Sequence, residues 1–80
     1  MSKTSKIGAM VHYHRKLARL TQLELSRLAS VGKTAVFDVE RGKETVRLST
    51  LVKILGVLNI QLRFESPLIN LFEKEWHEKS

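Results

Sequence analysis

Eighty residues with no cysteine, one proline, and fourteen Lys and Arg against eight Asp and Glu leave room for one small basic domain. A chain this short buries only roughly 60 % of the surface its unfolded form exposes, which leaves little space for an enzyme's cleft. No disulfide framework is possible, no apolar run approaches the ~18 residues of a membrane span, and Met1-Ser-Lys-Thr-Ser has no leader-like apolar stretch, so a cytoplasmic, cofactor-free binding module is expected.

Ile7, Met10, Val11, His14, Leu17 and Ala18 recur at helical spacing and predict a first helix from Lys6 to Arg19. Thr21 and Glu24 fit a capping box, in which the hydroxyl accepts from the Glu24 amide and the carboxylate reaches back to the Thr21 amide. A second helix follows, with Leu25, Leu28 and Ala29 turned inward. Ser30-Val31-Gly32 interrupts it, and a third short helix is expected from Lys33 to Glu40 on the apolar pair Val36 and Val39. Gly42 closes that helix, because the residue past a helix end often takes a positive φ that glycine adopts without a Cβ clash. Leu48, Leu51, Ile54, Leu55 and Leu58 form the apolar stripe of a fourth helix.

After Asn59 the period changes. Ile60-Gln-Leu62-Arg-Phe64-Glu alternates apolar and polar, the pattern of a half-buried strand. Ser66 then reads as an N-cap with Pro67 at the first helical position, opening a last helix from Leu68 to His77 with Leu68, Phe72 and Trp76 on one face. The chain therefore divides into residues 1–59, a dimerisation strand at 60–65 and a helical tail at 66–80.

Charge follows the same division. Residues 1–63 hold twelve Lys and Arg against Glu24, Asp38, Glu40 and Glu44, whereas residues 64–80 hold Lys74 and Lys79 against Glu65, Glu73, Glu75 and Glu78. A basic body beside an acidic tail suggests two surfaces with different partners, the body meeting a polyanion. No acid pair or nucleophile–base set stands in a plausible context, and His12 and His14, two apart on a helix, do not make a metal pair.

Two short helices joined by a three-residue turn make a helix-turn-helix, whose second helix presents its first residues to base edges in the major groove. The stretch from Leu20 to Lys43, above all Leu20-Thr-Gln22 with Leu25 and Val36-x-x-Val39-Glu-Arg-Gly-Lys43, resembles the phage-repressor, or Xre, family over residues 7–58. The resemblance implies that Lys33, Thr34, Phe37 and Asp38 face the groove and that Gln22, Arg41 and Lys43 sit on phosphates. Side-chain chemistry agrees: Lys33 can donate to guanine O6 and N7, and Phe37 can meet a thymine methyl. Asp38 is better placed as a brace for a neighbouring Arg, and Glu40 as a structural residue holding Arg41 or a loop amide. Where the family's turn carries glycine this chain has Ser30, and where it carries serine this chain has Gly32, which can still cap the helix but offers no hydroxyl to phosphate.

The expected fold is mostly α: a repressor-like helix-turn-helix bundle of four helices, one dimerising β-strand, and a short C-terminal helix. A single strand has unpaired edges, which pairing with a second copy would satisfy. Centring that antiparallel pair on Leu62 sets Leu62 against its mate and Ile60 against Phe64 of the other copy, making Ile60, Leu62 and Phe64 the dimer interface. The segment from Lys53 to Phe64 resembles HipB-type antitoxins, which repress their own operon and bind a HipA-type kinase toxin. That resemblance implies a homodimeric repressor on a palindromic double-stranded operator. Separately, Leu68, Leu71, Phe72 and Trp76 on the short acidic tail helix could dock on the toxin, which suits the charge split, and Leu23 is a further candidate contact. A stand-alone phage-type repressor and a protein-interaction adaptor are the alternatives, and the tail has a second possible role, folding back on its own dimer.

Overall fold

The structure is a computed structural model and describes residues 5–79. Residues Met1 to Thr4, read above as lacking a leader, and Ser80, the last residue of the expected tail, lie outside the described residues. Five helices follow in order: α1 (Lys6–Leu17), α2 (Gln22–Leu28), α3 (Ala35–Glu40), α4 (Leu48–Val57) and α5 (Ile69–Lys79).

The ends of the first three helices have local causes. The Ser5 hydroxyl accepts from the Gly8 amide at 2.9 Å and starts α1. Arg19, with φ at 61°, turns the chain out of α1. The capping box at Thr21 is complete: Glu24 N donates to Thr21 Oγ1 at 3.0 Å and Thr21 N donates to Glu24 Oε1 at 2.8 Å. Ser30 takes the left-handed conformation that the glycine of related turns would adopt more readily, with φ at 56°. The third helix starts later than expected. Lys33 and Thr34 form the turn before it, and the Gly32 carbonyl accepts from the Ala35 amide at 2.9 Å, so Gly32 is a turn residue rather than a cap. The Thr34 side chain makes no cap; instead the buried Ser26 of α2 reaches across and accepts from the Val36 amide at 3.3 Å. Gly42, with φ at 82°, ends α3.

Val11, Leu25, Ala29, Val36, Val39, Ile54 and Leu55 form the buried core, so α1 to α4 each contribute. Around it pack Met10, Leu20, Val31, Val46, Leu51, Leu58 and Ile60. Several residues expected to face inward do not: Ile7, Leu17, Leu28 and Leu48 are exposed. The face of α1 that turns inward runs through Gly8, Val11 and Arg15, one residue round from the apolar stripe that periodicity picks out. Gly8 is required there, because a Cβ at that position would lie 2.6 Å from the Val39 carbonyl oxygen and 2.8 Å from that of Glu40.

The expected strand is not formed. Residues 60–65 are irregular, and the described residues contain helices but no strand. A strand exists only as a ladder, and no second extended segment is available to this one. Ile60 belongs to the end of α4 instead: its amide donates to the Leu55 carbonyl at 2.9 Å and its side chain packs on the core. Leu62 and Phe64 stand exposed. The Leu62-centred register, and with it the interface assigned to Ile60, Leu62 and Phe64, therefore has no basis in this fold. The tail helix is present but begins at Ile69, since Pro67 and Leu68 form a turn in which the Leu68 amide donates to Ser66 Oγ at 3.3 Å.

Candidate nucleic-acid interface

The Val36–Val39 pair anchors α3 in the core, and that anchoring fixes what the rest of the helix shows to solvent. Lys33 and Thr34 stand exposed in the turn before the helix, and Phe37 is 50 % exposed one turn on. The Arg41 guanidinium lies 5.5 Å from the centre of the Phe37 ring. It also donates through Nε to Asp38 Oδ1 at 3.2 Å, while Lys43 Nζ approaches Asp38 Oδ2 at 3.7 Å. Asp38 thus stands between two cations, with both carboxylate oxygens engaged.

Behind this surface is a polar cluster that connects three helices. Glu40, at the end of α3, is only 7 % exposed. Its Oε2 accepts from Arg15 Nε at 2.6 Å, and its Oε1 accepts from Arg15 Nη2 at 3.0 Å, a bidentate pair between α1 and α3. The same Oε1 lies 3.0 Å from Gln22 Nε2 and 3.0 Å from His12 Nδ1. Arg15 Nη1 donates to the Leu20 carbonyl at 2.8 Å, which ties in the turn before α2. Burial alone would raise the Glu40 carboxyl; hydrogen bonds from Arg15, Gln22 and His12, with the positive charge of Arg15, outweigh it and hold the group below the ordinary carboxylate range.

Of the residues expected at the interface, Gln22, Phe37 and Arg41 line one cleft together with Ala9, His12 and Glu40. Thr34, Asp38 and Lys43 line a neighbouring one with Arg47 and Thr50. Gln22 is half-buried and its amide is held by Glu40, an orientation that no sequence pattern conveys. Glu40, expected to hold Arg41 or a loop amide, holds Arg15, Gln22 and His12 instead. Arg15 and His12 are the two residues of the site that sequence reasoning misses. A signal for Arg15 exists: it stands four residues after Val11, and an arginine at a buried helical position requires an acidic partner. Leu68, Phe72 and Trp76 are all exposed on the tail, where the rings of Phe72 and Trp76 stack 6.1 Å apart. No helix among the described residues is long and apolar enough to cross a membrane.

Residues 11–64 match a family model described as helix-turn-helix. Over 76 residues the chain is 32 % identical to the immunity repressor protein of Bacillus phage phi105, a match that covers 91 % of this chain and 53 % of the repressor. The chain thus spans about half the length of that relative. Over 61 residues it is 34 % identical to the uncharacterized HTH-type transcriptional regulator y4mF of Sinorhizobium fredii (strain NBRC 101917 / NGR234), covering 76 % of this chain and 80 % of that protein. A solved structure described as MDT Protein superposes with a TM-score of 0.70 over 84 % of this chain and 94 % of the other; at 18 % identity this likeness speaks for the fold alone. With a core of this arrangement behind two short helices and a matched segment that spans both, the chain belongs to the Xre-type helix-turn-helix family.

Proposed function

We propose that this protein is a sequence-specific DNA-binding transcriptional repressor. The observation that carries the reading is the division of labour around α3. Val36 and Val39 face the core, while Lys33, Thr34 and Phe37 face solvent at the end that a recognition helix offers to base edges. Gln22, Arg41 and Lys43 flank them as phosphate contacts, which position the protein without reading sequence. The repressor named among its relatives supports the same reading.

The active form is proposed to be a homodimer on a palindromic operator. The six residues of α3 extend only about 9 Å, fewer than three base-pair steps, so one copy reads a very short site. Two copies related by a two-fold axis double it, with no strand required.

Selection of bound duplexes from a random pool should return a consensus site. On that site, Lys33→Ala is expected to cost about 1–3 kcal/mol and to relax preference at one base pair per half-site. Arg41→Ala is expected to weaken all sequences alike and to flatten the salt dependence by about one unit per subunit. Equal losses on cognate and random DNA for Lys33→Ala would remove lysine from the base-reading set.

A second reading is favoured by one feature. No residue of α5 is buried, and Leu68, Leu71 and Phe72 are exposed beside Glu73, Glu75 and Glu78. An apolar stripe of this kind is suited to a protein partner. In this reading the chain is the antitoxin of a HipA-like kinase toxin that docks on Leu68, Phe72 and Trp76. Deleting residues 66–80 should leave operator binding within about threefold, under 1 kcal/mol, and abolish co-purification with such a kinase. Retained co-purification would place the contact elsewhere.

A further inference from the structure

Building on the DNA-binding reading, we propose that His12 is a proton-gated phosphate contact, so that the affinity of this protein for duplex DNA rises as pH falls through the titration of that imidazole. His12 lies on α1, outside the two helices of the motif, yet it lines the same cleft as Gln22, Phe37 and Arg41. Its side chain is 55 % exposed, so a ligand in the cleft can reach it.

The surroundings of the ring make its charge decisive. Nδ1 lies 3.0 Å from Glu40 Oε1, an acceptor, and 3.2 Å from Arg15 Nη2, a donor. A neutral imidazole satisfies one of these two through Nδ1 and not the other. Once protonated, both ring nitrogens carry hydrogen. Nδ1 then donates to Glu40, and the Nε2–H becomes a charged donor for a phosphate oxygen.

The charges that face His12 are few. From its own helix comes Arg15; from α3 and the residue that ends it come Glu40 and Arg41; α2 contributes only the uncharged amide of Gln22. Arg15 and Glu40 cancel as a bidentate pair. Arg41 is shared with Asp38 at 3.2 Å. Asp38 is also shared with Lys43, so part of the Arg41 charge remains in the cleft, and a proton on His12 adds a second positive charge that strengthens its attraction for a phosphate. A phosphate in the cleft in turn favours the imidazolium, so DNA binding takes up a proton. The affinity gained is present while the imidazole is protonated and is lost as rising pH removes that proton.

Phosphate contacts are indifferent to sequence, so a labelled random duplex of about 30 bp at fixed salt is a sufficient probe. Between roughly pH 6 and roughly pH 8 the wild-type affinity is expected to fall about three- to tenfold, the range given by linkage to one histidine. His14→Asn, which removes a ring bonded to the Met10 carbonyl at 2.7 Å, should follow the wild type. His12→Asn should bind with nearly the same affinity at both ends of the range. NMR provides an independent readout: the titration midpoint of the His12 ring in the wild type should move up when DNA is added. A wild-type affinity that ignores pH, a His12→Asn protein that keeps the pH dependence, or an unmoved midpoint would each overturn the proposal. A wild type that binds no duplex at any pH would instead overturn the DNA-binding reading itself.

Discussion

Glu40→Ala is expected to lower the unfolding free energy by about 3–5 kcal/mol, the cost of leaving one member of a buried ion pair behind. The Arg15 guanidinium would remain at 7 % exposure with no carboxylate opposite it, and Gln22 and His12 would lose their shared acceptor. Urea denaturation followed by circular dichroism measures the loss. A change under about 1 kcal/mol would mean that water reaches Arg15 readily and that the pair is marginal. The same carboxylate sets an acid limit. Its native pKa lies below the ordinary value of 4.5, so the folded state binds fewer protons than the unfolded state in that region. Its contribution is full above the unfolded value and disappears as pH falls through the native one. The wild type should therefore lose stability below about pH 4.5 more steeply than Glu40→Ala, which has no carboxyl left to titrate at that position.

Gly8→Ala should destabilise the protein by about 1–3 kcal/mol although alanine is the better helix former. The added Cβ would meet two backbone carbonyl oxygens, of Val39 and Glu40, at 2.6 and 2.8 Å. Neither can swing away as a flexible side chain would, so α1 must lift from α3. Gly56 provides the internal comparison, because it sits within α4 and a Cβ added there would have nothing within 4 Å. Gly56→Ala should stabilise by up to about 1 kcal/mol through helix propensity alone. Thermal melts of the two variants should shift in opposite directions. A Gly8→Ala protein that melts above the wild type would show that the α1–α3 approach is looser than these distances imply.

The parts of this fold that local rules govern are legible in the sequence. The Thr21–Glu24 box, the break at Ser30 and the closure at Gly42 each follow from residues a few positions apart. The apolar pair of α3 is legible too, since Val36 and Val39 stand three positions apart on one face and both lie buried. Tertiary partners are less accessible. Periodicity chooses Ile7 and Leu17 for the inner face of α1, but the close approach of the α3 carbonyls demands glycine and rotates that face to Gly8, Val11 and Arg15. The alternation at residues 60–65 is genuine as a pattern, yet a pattern states only which side chains share a face. It cannot supply the second strand that makes a ladder, and Ile60 finds its place against α4. The link from Gln22 to Glu40 spans eighteen positions and joins two polar residues, so no hydrophobic period reports it.

The α3 segment keeps its two obligations on different residues. Stability rests on Val36, Val39 and Glu40, all buried, whereas Lys33, Thr34 and Phe37 lie toward solvent and contribute little to the core. Substitutions at those three positions are nearly neutral for folding, since surface changes away from caps and cores usually shift stability by less than about 0.5 kcal/mol. With the base-reading role proposed for them, operator preference can therefore drift quickly under selection, one base contact at a time, with no compensating repair of the scaffold. Two descendants of one ancestral gene could come to ignore each other's operators while remaining superimposable, and their divergence would be recorded at three side chains.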